Sequence, residues 1–214
     1  KQAAYVTTSL FISKFDLPLN IITQVFVAVL RVHQIEARFM VKEALDLLAP
    51  VISNRSKNTD ESTVWVNWVR RIILESDFQQ NTILYQFLIS QKDIFCEYKD
   101  MFIPNIISYI GRLTLLTNPS SENQTLTIDL CDLVMYWEKR SSSENNDGKD
   151  IDMENNGIIV SSSSTSLSQR EAFAAFLIRF ICVSNHRACE TPLGSKALSV
   201  LTELLSIGYL PEAV

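Results

Sequence analysis

The 214-residue chain is 47% hydrophobic and has only 5 glycines and 6 prolines, a composition that favours helices over a β-sandwich or barrel. No apolar run reaches the roughly 20 residues needed to cross a bilayer, and no signal peptide is predicted. The net charge is −5, of which Ser141–Leu167 carries −4. The remainder is therefore close to neutral, which argues against nucleic acid as the main ligand.

Apolar residues recur at helical spacing through most of the chain, and polar or proline-containing turns separate the periodic stretches. The predicted helices are Lys1–Phe15, Asn20–Val32, Glu36–Ala49, Ser62–Glu75, Gln79–Lys92, Tyr98–Leu116, Asn123–Arg140, Gln169–Asn185 and Leu193–Ile207. Short connections make consecutive helices antiparallel neighbours. Hairpins of this size resemble HEAT-type repeats, so we predict an all-α fold, a HEAT-like α-solenoid of about nine helices. A compact, non-repetitive helical bundle is the alternative.

Two of these helices have apolar stripes that predict which residues face the core. In Glu36–Ala49 the stripe is Met40, Ala44, Leu47, Leu48 and Val51, widened by Ala37, Val41, Leu45 and Ile52. In Ser62–Glu75 the inward residues are Trp65, Trp68, Val69 and Ile72. Between these two helices, Ser53–Glu61 has no apolar residue and is predicted to be a loop.

The segment Thr125–Arg140 gives the clearest helical pattern. Its inward residues are Leu126, Leu130, Leu133, Val134 and Trp137. Ser121 and Gln124 form a capping-box pattern before it, and Lys139 with Arg140 complements the helix dipole at its end. Asp129 and Asp132 lie three residues apart on this helix; we expect one at the solvent edge and the other bonded within a neighbouring turn.

Ser141–Ser168 interrupts the helical pattern with serine, asparagine and acidic residues. It has too few apolar residues for their burial to offset the entropy of ordering the chain, so we predict a disordered insertion at 141–168. Because the helical period resumes beyond it, residues 1–214 are interpreted as a single segment of a longer solenoid.

Residues for catalysis, cofactor binding or metal binding are not predicted. The glycines are isolated, so no phosphate-binding loop is expected. The four cysteines fall mostly within apolar helical patterns, as buried reduced thiols do inside cells. Cys182, His186 and Cys189 lack the fourth ligand and the paired spacing of a zinc site, so we expect no metal.

Cations form a modest basic set on two successive predicted hairpins. Its members are Arg31, Arg38, Lys42, Arg70 and Arg71. A solvated face that pairs with Asp46 and Glu75 is the simplest interpretation. The functional alternative is a protein-docking patch for acidic segments, formed by Arg38, Lys42, Arg70 and Arg71.

Several stretches also carry a family resemblance in the same order and spacing. They are Val25–Val51, Trp65–Arg71, Leu126–Arg140 and Leu210–Pro211. Together they resemble the HEAT-repeat region of the transformation/transcription domain-associated protein family, in its fungal form. These proteins are giant pseudokinases of the phosphatidylinositol-kinase-related group.

The resemblance implies a non-catalytic scaffold segment of a nuclear transcription coactivator subunit, shared by SAGA and nucleosomal histone acetyltransferase complexes. It also implies two kinds of partner, namely other subunits of acetyltransferase complexes and acidic activation domains. We expect no cofactor, no direct binding of nucleic acid and no association with a membrane. Without the resemblance, the same architecture would also suit a HEAT-type adaptor in nuclear transport or trafficking.

Overall fold

The computed structural model describes residues 2–32, 35–57, 59, 62–114, 120–146, 166–183 and 190–206. Within these ranges every regular element is helical, which confirms the predicted all-α fold. The helices are α1 (Gln2–Lys14), α2 (Leu19–Leu30), α3 (Arg38–Ser56), α4 (Val64–Glu75), α5 (Phe78–Ser90), α6 (Lys92–Phe95), α7 (Lys99–Thr114), α8 (Ser121–Asn146), α9 (Leu167–Val183) and α10 (Pro192–Ser206). Single 3₁₀ turns occupy Ile35–Ala37 and Cys96–Tyr98.

The chain divides into two compact units, Lys1–Phe102 and Ile103–Val214, and the division falls within α7. In the first unit α3 packs against α1, α2 and α5, while α4 packs against α2 and α5. Helices two apart in the chain are therefore neighbours, with α1, α3 and α5 in one layer and α2 and α4 in the other. This alternation is the arrangement of stacked helical hairpins.

Aromatic rings form the centre of the first unit. The Trp65 side chain is 1% exposed, and its ring centroid lies 5.9 Å from that of Phe26 and 5.5 Å from that of Phe95. Phe95 in turn lies 5.4 Å from Phe87 and 5.3 Å from Phe102, both close to edge-to-face. These distances and angles are those that aromatic quadrupoles favour.

The core face and the end of α3 both differ from the prediction. The buried residues are Ala37, Val41, Ala44, Leu45, Leu48, Ala49 and Ile52, whereas Met40 is exposed and Leu47 is half-buried. The helix also continues through Pro50 to Ser56, so the first four residues of the predicted Ser53–Glu61 loop are helical. A proline removes one helical hydrogen bond, and burial of Ala49 and Ile52 on either side outweighs that loss.

Arg55 joins the last turn of α3 to the end of α1. Its guanidinium donates to the carbonyl oxygens of Leu17 at 2.6 Å and Phe15 at 3.0 Å, and pairs with Asp16 at 2.8 Å. Carbonyl groups after a helix C-terminus have no intrahelical partner, so this arginine serves as a cap supplied by another helix.

The predicted core face of α8 is confirmed, because Leu126, Leu130, Leu133, Val134 and Trp137 are all buried. The cap is shifted by one residue, since the hydroxyl oxygen of Ser120 accepts from the amide of Asn123 at 3.2 Å. The helix extends six residues past the predicted end at Arg140 and takes in the start of the predicted insertion. Residues 147–165 of that insertion lie outside the described residues.

Ion pairs join α10 to α8 in the second unit, because both Asp129 and Asp132 bind the Lys196 ammonium, at 2.8 Å and 3.0 Å. Asp132 is 49% exposed and lies at the solvent edge as expected, whereas Asp129 bonds to another helix rather than within a neighbouring turn. A second ion pair joins Lys139 of α8 to Glu203 of α10, nearer the C-terminal ends of both helices. Burial acts to lower the pKa of Lys196, but the two aspartates outweigh it and the pKa is raised.

Candidate protein-docking surface

Arg38 and Lys42, the α3 half of the predicted patch, lie on the part-exposed face of that helix. The Lys42 ammonium pairs with Asp46 at 2.7 Å. Asp46 also accepts from the Gln91 side chain at 3.0 Å and from the Ser90 hydroxyl, so it ties this pair to the end of α5. The Arg38 guanidinium lies 4.9 Å from the ring centroid of Phe39, a residue that is 72% exposed.

Arg70 and Arg71, the α4 half, point in different directions although they are consecutive. The Arg71 side chain pairs with Glu75 at 2.7 Å, and its guanidinium lies 5.3 Å from the ring centroid of Trp68. Arg70 is two residues from Trp68 and so about 200° away around the helix, on the other edge of the exposed face. Within the described residues Arg70 has no ion-pair partner.

The two halves belong to different layers, because α3 stacks with α1 and α5 whereas α4 stacks with α2. The pairing of Lys42 with Asp46 and of Arg71 with Glu75 follows the simpler interpretation of these cations as a solvated face. The pair of Arg71 with Glu75 is exposed and therefore weak, so an incoming carboxylate can compete for Arg71, whereas the pair of Lys42 with Asp46 is part-buried. We therefore treat each half as a separate candidate surface.

Trp68 does not lie in the core as predicted, but is half-buried beside two arginines. The Arg31 guanidinium lies over its ring, 5.1 Å from the centroid, and the Arg71 guanidinium lies over it at 5.3 Å. A groove of about 310 Å³ adjoins this cluster, lined by Thr23, Gln24, Val27, Ala28, Arg31 and Trp68. The sequence offers no signal for this arrangement, because Arg31 and Trp68 meet only through the packing of α2 on α4.

The described residues contain no group of three histidine, cysteine or acidic side chains placed to hold a metal ion. Cys182 is exposed, whereas His186 and Cys189 lie outside the described residues. Cys131 is buried, and burial together with the charge of Asp132 raises the pKa of its thiol well above the usual range. That thiol is therefore an unreactive core group at neutral pH.

Within the described ranges no helix is both long and apolar enough to cross a membrane. Helical hairpins stacked in two layers, with charged side chains on the exposed faces, define the class of HEAT-type α-solenoids. Proteins of this class present extended surfaces to other proteins.

Comparison with known proteins identifies the branch of that class. The family model of the Tra1 HEAT repeat ring region matches residues 1–214. The SAGA complex/NuA4 acetyltransferase complex subunit TRA1 of Saccharomyces cerevisiae is 43% identical over 228 residues, covering 96% of this chain and 6% of that protein. The subunit Tra1 of Schizosaccharomyces pombe is 30% identical over 211 residues, covering 96% and 5%. The human Transformation/transcription domain-associated protein is 24% identical over 171 residues, covering 79% and 4%.

The chain belongs to the Tra1 HEAT repeat ring family, which confirms both the predicted family resemblance and the predicted HEAT-like solenoid. It spans only 4 to 6% of the length of these three relatives.

Proposed function

We propose that this chain is a non-catalytic scaffold segment of a nuclear transcription coactivator subunit that assembles histone acetyltransferase complexes. The observation that carries the proposal is the 43% identity, over 96% of the chain, to a yeast subunit of the SAGA and NuA4 acetyltransferase complexes. A stack of helical hairpins supports it, because such stacks offer large surfaces on which several partners assemble.

Purification of the full-length protein, tagged in its own cells, tests the scaffold role. We expect acetyltransferase subunits to copurify, histone acetyltransferase activity to accompany them, and a fluorescent fusion to be nuclear. A HEAT-type adaptor in nuclear transport or trafficking would instead bring down cargo or a small GTPase. That second outcome would overturn the coactivator proposal.

The finer proposal is that acidic activation domains dock on the basic surfaces at Arg38 and Lys42 and at Arg70 and Arg71. Arg70 supports it most directly, because it is exposed and has no ion-pair partner within the described residues. Lys42 and Arg71 must exchange an existing carboxylate partner for the incoming one. Such exchange adds little affinity, so these cations act mainly by raising the association rate.

Two double variants separate the surfaces, namely Arg70→Glu with Arg71→Glu, and Arg38→Glu with Lys42→Glu. Each makes the same change in net charge, so each is the matched control for the other. We expect the α4 variant to slow association with an acidic activation domain several-fold at low salt, and less at high salt, since screening removes long-range attraction. Unchanged rates at low salt in both variants, with far-ultraviolet spectra like the wild type, would rule out docking on these cations.

A further inference from the structure

The cluster at the exposed end of α2 combines an accessible aromatic ring with a cation whose donors remain available. Arg31 follows the last residue of α2, and its amide donates to the carbonyl of Val27 at 3.2 Å, which fixes where its side chain begins. Its guanidinium lies over the Trp68 ring at 5.1 Å. A guanidinium stacked on an aromatic face is held in place while its N–H edge stays free for a carboxylate.

The charges around Trp68 leave one cation without a carboxylate. Arg71 also lies over the ring, but Glu75 pairs with it at 2.7 Å. No carboxylate pairs with Arg31 in the part of the chain that the structure describes. The net charge of Arg31, Arg71 and Glu75 together is thus positive, and the unpaired positive charge is that of Arg31 at the edge of the groove.

The groove beside Trp68 provides an apolar contact next to that charge. Val27 and Ala28 line it together with Trp68, and Thr23 and Gln24 supply hydrogen-bonding groups. Its volume of about 310 Å³ is at the lower end for binding pockets, so it suits one large side chain better than a whole small molecule. Tryptophan and arginine are the residue types that most often dominate binding energy at protein interfaces.

We propose that this groove binds an acidic peptide segment through one aromatic or large aliphatic side chain packed on Trp68, with a neighbouring carboxylate of the peptide paired to Arg31. The class of ligand rests on the proposed function. The site itself is additional, because Arg31, Trp68 and the groove lie outside the predicted docking patch.

Fluorescence gives a direct test, because the other two tryptophans, Trp65 and Trp137, are 1% and 0% exposed. Acrylamide should therefore quench mainly Trp68 in the 214-residue chain. The probe is a synthetic acidic peptide with one central phenylalanine, and the second probe has alanine in that place. We expect the phenylalanine peptide to protect the fluorescence from quenching and the alanine peptide to protect it far less.

Affinities of the labelled peptides, measured by fluorescence anisotropy, identify the residues. Trp68→Ala should weaken binding of the phenylalanine peptide about tenfold, as expected for a central tryptophan, and Arg31→Gln about threefold, as for a partly exposed ion pair. Ala28→Gln keeps Trp68 and both arginines but fills the groove, so it should also weaken binding of the phenylalanine peptide. This variant serves as the test if Trp68→Ala fails to fold. Lys14→Gln removes an exposed cation elsewhere and should leave the affinity unchanged, which controls for net charge.

The outcomes distinguish this site from the patch. Loss of peptide binding in Arg70→Glu or in Arg38→Glu with Lys42→Glu, which keep both arginines that lie over Trp68, together with unchanged affinity in Ala28→Gln and Arg31→Gln, would overturn the groove proposal and keep docking on the patch. The reverse result would keep the groove and reject the patch. If single-stranded DNA of the same net charge binds as tightly and displaces the peptide, the site recognises negative charge alone, and the peptide proposal is wrong.

Discussion

Replacing Arg55 with methionine removes the guanidinium that joins the end of α3 to the end of α1, while the aliphatic stem keeps its packing. Two hydrogen bonds to carbonyl oxygens are lost, at 2.6 Å and 3.0 Å. Hydrogen bonds from a charged donor contribute about 1.5–3 kcal/mol each when well shielded. The Arg55 side chain is 27% exposed, and water can replace part of what is lost.

We therefore expect Arg55→Met to lower the free energy of unfolding by about 2 kcal/mol, less than the full value of two shielded bonds. For a chain of this length that corresponds to a fall in Tm of about 4–8 °C. Urea unfolding followed by circular dichroism measures the loss, and the midpoint should move without a change in slope.

Asp16→Asn is the matched control. The Asp16 side chain is 99% exposed, so its ion pair with Arg55 should contribute almost nothing and this variant should unfold like the wild type. Arg55→Lys keeps the charge but loses the planar guanidinium that reaches two carbonyls. Its free energy of unfolding should lie between those of Asp16→Asn and Arg55→Met. Equal losses in Asp16→Asn and Arg55→Met would refute carbonyl capping and assign the effect to the ion pair.

Three further predictions concern the second unit and the predicted insertion. Trp137→Ala should cost about 3–5 kcal/mol in urea unfolding, because the side chain is fully buried; a loss below about 0.5 kcal/mol would contradict that burial. Lys196→Met should destabilise the protein at neutral pH, because it removes the ion pairs with Asp129 and Asp132. The pKa of Lys196 is raised above the ordinary lysine value of 10.5, so the stabilisation from these pairs is fully present below pH 10.5. The difference in urea midpoint between wild type and variant should vanish only as the pH rises through the raised pKa, and a difference that persists in strong alkali would exclude the ion pairs as its source. Replacing residues 147–164 with a short Gly/Ser linker should leave Tm nearly unchanged, because loop closure depends weakly on length; a cooperative loss of folding would show that the insertion packs.

The sequence predicted five buried residues of α8 correctly because they recur at helical spacing, but it missed Ile128, Cys131 and Met135, which lie beside that stripe and are also buried. In α3 it placed the centre of the core face on the wrong residues, because apolar residues surround more than half of that helix, although all four residues predicted to widen the face are buried. Met40 and Val41 are both apolar, so helical periodicity does not tell which of them faces the core. The positions of α1, α2 and α5 decide that Val41 is buried and Met40 is exposed. Tertiary packing also carries α3 through Pro50, where local preference predicts an end.

Contacts between distant side chains were the other source of error. The pairing of Lys196 with Asp129 joins residues 67 positions apart, and Arg55 reaches back 38 residues to Leu17. Single-helix reasoning finds charge pairs four residues apart, such as Arg71 with Glu75, but has no means of finding these. For the same reason the basic residues were recognised individually, whereas the stacking of Arg31 on Trp68 was not.

The cap that Arg55 provides has a consequence for the timing of synthesis. The α1 helix leaves the ribosome well before α3, its main neighbour within the described first unit, and the carbonyls of Phe15 and Leu17 that follow α1 gain Arg55 only when about 40 more residues have been made, roughly 2 to 8 s later at ordinary translation rates. Throughout that interval α1 lacks the contacts with α3 that the folded chain gives it, while Phe11 and Phe15, which stay about half-exposed even in the folded chain, can already stack on each other.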